Sequence, residues 1–161
     1  FLTPAFLPVA TYGAVKGIPS NVITELGVQG LLCNAYHLNV RPGIDYMREY
    51  GGIHEFMSWN GPAVSDSGGY QVFSLTKINR ITDQGVEFQS HFDGSRINMT
   101  PKLATEIQTA VGADIIMCFD DCVKYPCTHE QAEDAAQRTL NWARICREQQ
   151  IYALSTFKIS F

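Results

Sequence analysis

At 161 residues, 45% of them hydrophobic and 17% charged, the chain has the composition of a folded globular domain and not of a disordered segment. Its formal net charge of −4 argues against a protein that grips nucleic acid through a basic face of its own, although Arg138, Arg144 and Arg147 fall along one predicted helix. No apolar run approaches the roughly 18 residues of a membrane-spanning helix, and the five cysteines point to reduced thiols, so a soluble cytoplasmic protein with no membrane partner is expected.

The opening run, Phe1 to Val9, is apolar and held out of helix by Pro4 and Pro8, which predicts an extended segment. Ser20 is placed to cap a short helix through Leu26, with Gly27 as its stop. "GLLCNAYHL", Gly30 to Leu38, reads as a buried strand whose end carries Asn34, Tyr36 and His37. A helix is predicted from about Ile44 to Tyr50, ended by Gly51-Gly52, and a third strand over Pro62 to Ser65. The alternation then breaks. "RITDQGVEFQSHFDGSRINMT" alternates polar and apolar residues between turn signals, the pattern of an antiparallel hairpin or meander.

Thr100 caps the next predicted helix, with Pro101 at its first position, Val111 near its end and Gly112 beyond. "ADIIMCF", Ala113 to Phe119, is a continuous apolar run suited to a strand buried on both faces. Thr128 and Gln131 make a capping box for a long helix through about Gln149, whose small face is Ala132, Ala135, Ala136, Thr139, Ala143 and Cys146. The closing "YALSTFKISF" has strand composition without a closing turn, and both ends read as cut from a longer chain.

Strands alternating with helices imply an α/β fold with parallel βα units. Three predicted strands end in polar side chains, Asn34, Asp66 and Asp120, and both open α/β sheets and (β/α)8 barrels place their sites at such ends. Strand counting leaves barrel and open sheet both open. A barrel takes about 250 residues as a rule, so this chain would make up roughly half to two-thirds of one.

"GPAVSDSGGYQVFSL" concentrates the chemistry: a short apolar strand, then an acid, hydroxyls, a glycine pair and an aromatic. Two carboxylates at strand tips can divide work, one accepting hydrogen bonds from a ligand and the other trading protons with it. Guanine suits such a pair because its edge offers N–H donors, while Gly68 and Gly69 let backbone approach a base and Tyr70 offers a flat face.

Taken together, "TPAFLPVATYGAVKGI", "NAYHLNVRPG", "SDSGGYQVFSL", "ITDQGVEFQSHFDG", "GADIIMCFDDC" and "TLNWARICREQ" resemble the amino-terminal part of the tRNA-guanine transglycosylases, or queuine tRNA-ribosyltransferases, of the bacterial type. The resemblance covers about residues 3 to 150. It implies that residues 1–161 are the amino-terminal portion of a single (β/α)8 (TIM) barrel catalytic domain, a partial barrel with an inserted antiparallel hairpin. The family exchanges guanine at the anticodon wobble position of tRNA for a 7-deazaguanine, preQ1 or queuine, through a covalent glycosyl-aspartate intermediate. The target base must leave its stack to reach the pocket.

Residue by residue, the resemblance makes Asp66 the catalytic acid and base toward leaving and entering bases. Ser67, Gly68 and Gly69 shape the pocket, Tyr70 stacks on the base, and Gln71 belongs to the same substrate-binding segment. Asp120 recognises guanine's donor edge with Cys122 close by, and Asn34 lies near the reacting ribose. The family's nucleophilic aspartate and its zinc ligands, three cysteines and a histidine, match nothing within residues 1–161, so zinc and the carboxy-terminal part belong to a full-length protein, typically a homodimer. "STFKISF" departs from the family's glycine-rich continuation, as a changed reading frame would produce. The fragment alone is expected to be inactive.

Blander readings stand beside these. Asp-Ser-Gly-Gly alone is only a turn, and Asp120-Asp121 alone is a solvated strand end. Cys118, Cys122, Cys127 and His129 fit no common structural zinc spacing, and no metal ligand is assigned in this chain. Cys122 is the first candidate for a reactive thiol; His37 and His54 read as packing or surface residues, His91 as exposed, Trp59 and Trp142 as packing residues. The rivals are a non-catalytic tRNA-binding partner subunit, an open-sheet nucleotide-binding domain lacking the usual glycine-rich loop, and a truncated product that does not fold.

Overall fold

The computed structural model describes residues 2–75 and 77–156, without the side chains of 77–79 and 154–156. In chain order the elements are β1 (Val9–Ala10), α1 (Ser20–Glu25), β2 (Leu31–Asn34), α2 (Ala35–Val40), α3 (Ile44–Tyr50), α4 (Gly52–Met57), β3 (Ala63–Asp66), α5 (Gly69–Leu75), β4 (Lys77–Thr82), β5 (Gly85–Gln89), β6 (Arg96–Met99), α6 (Pro101–Val111), β7 (Ile115–Ile116) and α7 (His129–Thr156). They form an α/β fold with one parallel and one antiparallel sheet, divided between two compact units.

The first unit, Phe1–Asp66 with Ile107–Met117, contains a four-stranded parallel sheet in the order β1-β2-β3-β7. Buried Leu31, Cys33, Ala63 and Val64 fill its central strands, and Tyr36, Leu38, Met47, Ile53 and Trp59 are buried among the helices of the unit. Three boundaries differ from the sequence reading. The extended start narrows to β1. Ser20 is the first helical residue of α1, after Pro19, and makes no side-chain cap. The apolar run after Leu31 does not continue as strand: it turns into α2 at Ala35, whose N–H is taken by the Asp66 carboxylate at 3.0 Å. A helix leaves its first N–H groups without internal partners, and here a neighbouring strand's acid satisfies one of them.

β7 also departs from expectation. It is two residues long, Ile115 is 50% exposed and Met117 46%, so it is no doubly buried strand. The Gln108 side chain takes both polar groups of the Met117 backbone, each at 2.8 Å, and so occupies the bonds that a longer ladder would use. Asp114, just before β7, accepts the Ala63 N–H at 2.8 Å and faces His54 Nε2 at 3.2 Å. His54 Nδ1 lies 2.9 Å from the Trp59 carbonyl, a packing role as expected.

The second unit, Ser67–Glu106 with Cys118–Phe161, contains the antiparallel sheet β4-β5-β6, a meander as the alternation predicts. Val86, Phe88 and Met99 are buried, and His91 lies exposed in the turn after β5. α5 follows Gly68 directly, a helix the sequence reading did not include. Thr100 Oγ1 accepts the Leu103 N–H at 3.1 Å, the expected cap of α6.

The Thr128–Gln131 box caps α7 in both directions, at 2.9 and 3.2 Å. Its buried stripe is Ala135, Trp142 and Cys146, spaced at seven and four residues, whereas Ala132 and Ala136 are exposed. The reason is Trp142: its fully buried indole stacks on Phe119 at 5.0 Å and sets which face of the helix turns inward. α7 also runs on to Thr156, so the first half of the predicted closing strand is helix; residues 157–161 lie outside the described residues.

Candidate active site

Asn34 and Asp66 stand opposite one another at the last rung of the β2–β3 ladder, whose register pairs Leu31 with Ala63 through to Asn34 with Asp66. Because side chains in register on parallel strands share a face, the two polar groups meet at the strand tips. The Asn34 amide donates to Asp66 Oδ2, and the Ala35 N–H donates to Oδ1. Both carboxylate oxygens therefore have donors within the first unit. Asn34 Oδ1 is buried with no hydrogen-bond partner among the described residues, an acceptor that a ligand hydroxyl or N–H could satisfy.

One residue before each tip, Cys33 and Ser65 are fully buried. Burial drives the Cys33 thiol up to about 11, with the Asp66 charge adding to the effect against a lowering hydrogen bond from Ser65. That thiol is inert packing.

In the second unit the other predicted residues gather on Asp120. Ser67 Oγ donates to Asp120 Oδ1 at 3.0 Å, and the Cys122 thiol donates to Oδ2 at 3.0 Å. The Gly69 N–H donates to Ser67 Oγ at 3.2 Å, completing a small relay at the start of α5. Gly69 has no side chain for a direct reason: a Cβ there would collide with the Asp120 carboxylate and lie 2.9 Å from the Asp120 carbonyl oxygen. Gly68, at φ 81°, supplies the left-handed turn from strand tip to helix.

Tyr70 is 63% exposed, with its ring 6.4 Å from Phe73, so its face is open to a planar partner. Gln71 Oε1 is buried without a hydrogen-bond partner among the described residues. Beside Cys122 opens a cleft of about 530 Å³, lined among others by Phe73, Ile81, Val123, Cys127 and Arg138.

The structure revises two readings of the thiols. Cys122 is not an activated thiol: burial, then its hydrogen bond to Asp120, then the charges of Asp120 and Asp121 push it up to about 12. Its role beside Asp120 is that of a donor. Cys118, expected in a buried strand, is exposed, and partial desolvation of its sulfur, then the charges of Cys146 and Asp120, raise its thiol too. Among the described residues no three His, Cys, Asp or Glu side chains come close enough to hold a metal ion.

Two contacts were not legible in the sequence. The Ala35 N–H on Asp66 depends on strand register, for which the chain carries no local signal. Arg138, read only as one of three arginines along a predicted helix, pairs with the Asp121 carboxylate directly beside Asp120.

The chain matches the family profile "Queuine tRNA-ribosyltransferase" over residues 1–159. It is 46% identical over 145 residues to a queuine tRNA-ribosyltransferase of Acinetobacter baylyi, covering 90% of this chain and 38% of that protein. It is 47% identical over 141 residues to one from Hydrogenovibrio crunogenus, covering 88% of this chain and 38% of that protein. A third, from Acetivibrio thermocellus, is 47% identical over 148 residues, 92% of this chain and 40% of the relative. The chain thus spans about two-fifths of the length of the relatives it matches. With that match running through the strand-tip acids and the glycine pair, the chain belongs to the queuine tRNA-ribosyltransferase family of transferases.

Proposed function

We propose that the protein to which residues 1–161 belong exchanges guanine at the wobble position of tRNA for a 7-deazaguanine, and that these residues carry its base-handling half. They would form the amino-terminal portion of one (β/α)8 barrel, with the antiparallel sheet as an insertion. The working compartment would be the cytoplasm, and the full-length protein a homodimer.

In this reading the Asp120 carboxylate accepts the N–H groups of guanine's edge. The observation that carries it is the Asp120 cluster: an acid steadied at both oxygens by Ser67 and Cys122, over a glycine that leaves room. Hydroxyl and thiol donors stabilise a carboxylate without neutralising it, so it stays an acceptor for two parallel donors. Tyr70 stacks on the base, and Gln71 Oε1 accepts from a substrate hydroxyl or N–H group.

Asp66 gives a proton to the departing guanine and takes one from the incoming base. Asp66 must therefore carry a proton when guanine departs, and it recovers that proton from the incoming base; the Asn34 amide and the Ala35 N–H orient its carboxyl group. The nucleophile that attacks the ribose C1′, and the zinc site, belong to parts of the protein outside these residues. Residues 1–161 alone would form no covalent intermediate.

The test is incorporation of radiolabelled guanine into tRNA bearing a wobble guanine, with the whole gene product as enzyme. Incorporation is expected, and Asp66→Asn should abolish turnover while the fold persists by circular dichroism. Full incorporation by Asp66→Asn would overturn the assigned role, and none by the wild type would overturn the activity.

A further inference from the structure

Phe119, Asp120 and Asp121 alternate sides. Phe119 stacks on Trp142 of α7, and its N–H points to Cys146 Sγ at 3.5 Å. Asp121 returns to α7: its N–H donates to Thr139 Oγ1 at 3.0 Å, and its side chain, 5% exposed, receives Arg138 Nη1. Asp120, between them, points the other way, to Ser67, Gly69 and Cys122. α7 therefore holds the residues on both sides of the acid, while the acid's own carboxylate is bonded to Ser67 and Cys122.

Arg138 also spans further. Its Nε lies 3.5 Å from Asp83 in the β4–β5 turn, and Trp142 Nε1 donates to the Asp83 carbonyl at 2.7 Å. Only 24% of the Arg138 side chain is exposed, so it is held between two acids and is not free to sample solvent. Without it, a nearly buried Asp121 carboxylate would stand uncompensated one residue from Asp120. A buried charge that loses its partner either takes up a proton or drags its backbone toward water.

We infer that Arg138 is a positioning residue for base recognition: through Asp121 it fixes the aim of Asp120 and shields that acid from a second uncompensated negative charge. The inference rests on the reading of Asp120 as the base acceptor. Its signature is a weakened affinity for free base with little change in turnover, because Arg138 acts through Asp121 on the acid assigned to base recognition and not on the proton-transferring acid.

The experiment measures kcat and KM for guanine in the tRNA exchange assay, with the whole gene product and three variants. Arg138→Gln should raise KM for guanine by about tenfold, the equivalent of roughly 1.4 kcal/mol, with kcat within about twofold of wild type. Arg138→Lys, which keeps the charge but not the fork, should fall between. Arg138→Gln combined with Asp121→Asn should recover most of the loss, since the unpaired charge goes with its partner. If Arg138→Gln fails to fold, Thr139→Val, which removes only the acceptor for the Asp121 N–H, should still raise KM and not kcat.

An unchanged KM in folded Arg138→Gln would overturn the inference and leave base exchange standing. So would a double variant no better than the single one, which would make Arg138 mere scaffolding. No exchange by the wild type would instead sink the base-exchange reading, and the inference with it.

Discussion

Asn34 and Asp66 sit on the same rung of two neighbouring parallel strands, and the amide of the first donates to the carboxylate of the second. With the Ala35 N–H on its other oxygen, Asp66 is oriented before any substrate arrives. Pre-orientation of this kind reduces the reorganisation that the reaction itself must supply. Asn34→Ala removes one charge-assisted bond but also one buried oxygen without a partner, so the two changes partly offset. A stability loss of about 1 kcal/mol in urea unfolding is expected. Exchange turnover should fall more than stability does, since the lost amide orients the acid. A variant with wild-type turnover would show that the pair is structural only.

Gly69→Ala separates sterics from backbone strain. Gly69 is not in the left-handed region, and alanine favours helix over glycine by about 1 kcal/mol, so α5 itself would gain. The new Cβ nevertheless occupies space held by the Asp120 carboxylate. The expected outcome is a folded protein whose KM for guanine rises at least about tenfold, roughly 1.4 kcal/mol. An unaltered KM would mean that Asp120 tolerates displacement and is not the base acceptor.

What was legible in the sequence was local. The Thr128–Gln131 box, Thr100 before Pro101 and the meander turns are signals carried by a few adjacent residues, and the structure has all three. The glycine pair beside Asp66 was legible as a close-approach site, although the partner of Gly69 proved to be the protein's own Asp120. Contacts set by register or by distant pairs were not. Ala35 to Leu38 is apolar enough to read as strand, and the carboxylate that takes the first N–H of the helix it forms instead comes from Asp66, 31 residues away. In the same way, an apolar run at Ile115 looks doubly buried until Gln108 takes the Met117 backbone. Arg138 and Asp121 are 17 residues apart, and no motif links them.

Thiol chemistry gives a prediction with a definite sign. Burial, the Asp120 hydrogen bond and two acidic neighbours put Cys122 at about 12, so at pH 8 only roughly one in ten thousand of these thiols is ionised. Alkylation by iodoacetamide requires the thiolate, so exposed Cys127 should be modified far sooner, and the Cys122 rate should climb about tenfold per pH unit. Asp120→Asn removes a charge that opposes ionisation, so the Cys122 pKa should drop and its alkylation at fixed pH should accelerate. Peptide mass spectrometry over a pH series reads both effects. Equal rates at Cys122 and Cys127 at pH 8 would contradict the donor role.

Trp142 ties three parts of the second unit together, and two substitutions can divide its work. Its ring stacks on Phe119 at 5.0 Å, and its N–H reaches the Asp83 carbonyl at 2.7 Å. Trp142→Phe keeps an aromatic face and loses the donor; Asp83 is exposed, so water can replace the bond, and a loss of about 1 kcal/mol is expected. Trp142→Ala also empties a fully buried site next to Phe119, for which about 3–5 kcal/mol is expected. Urea unfolding of both variants measures the difference. Hydrogen exchange in the Thr82–Gly85 turn should quicken in both, because both release Asp83. If Trp142→Phe were as damaging as Trp142→Ala, the hydrogen bond to the turn would outweigh the stack, and the segment bearing Asp120 would depend on the meander more than on α7.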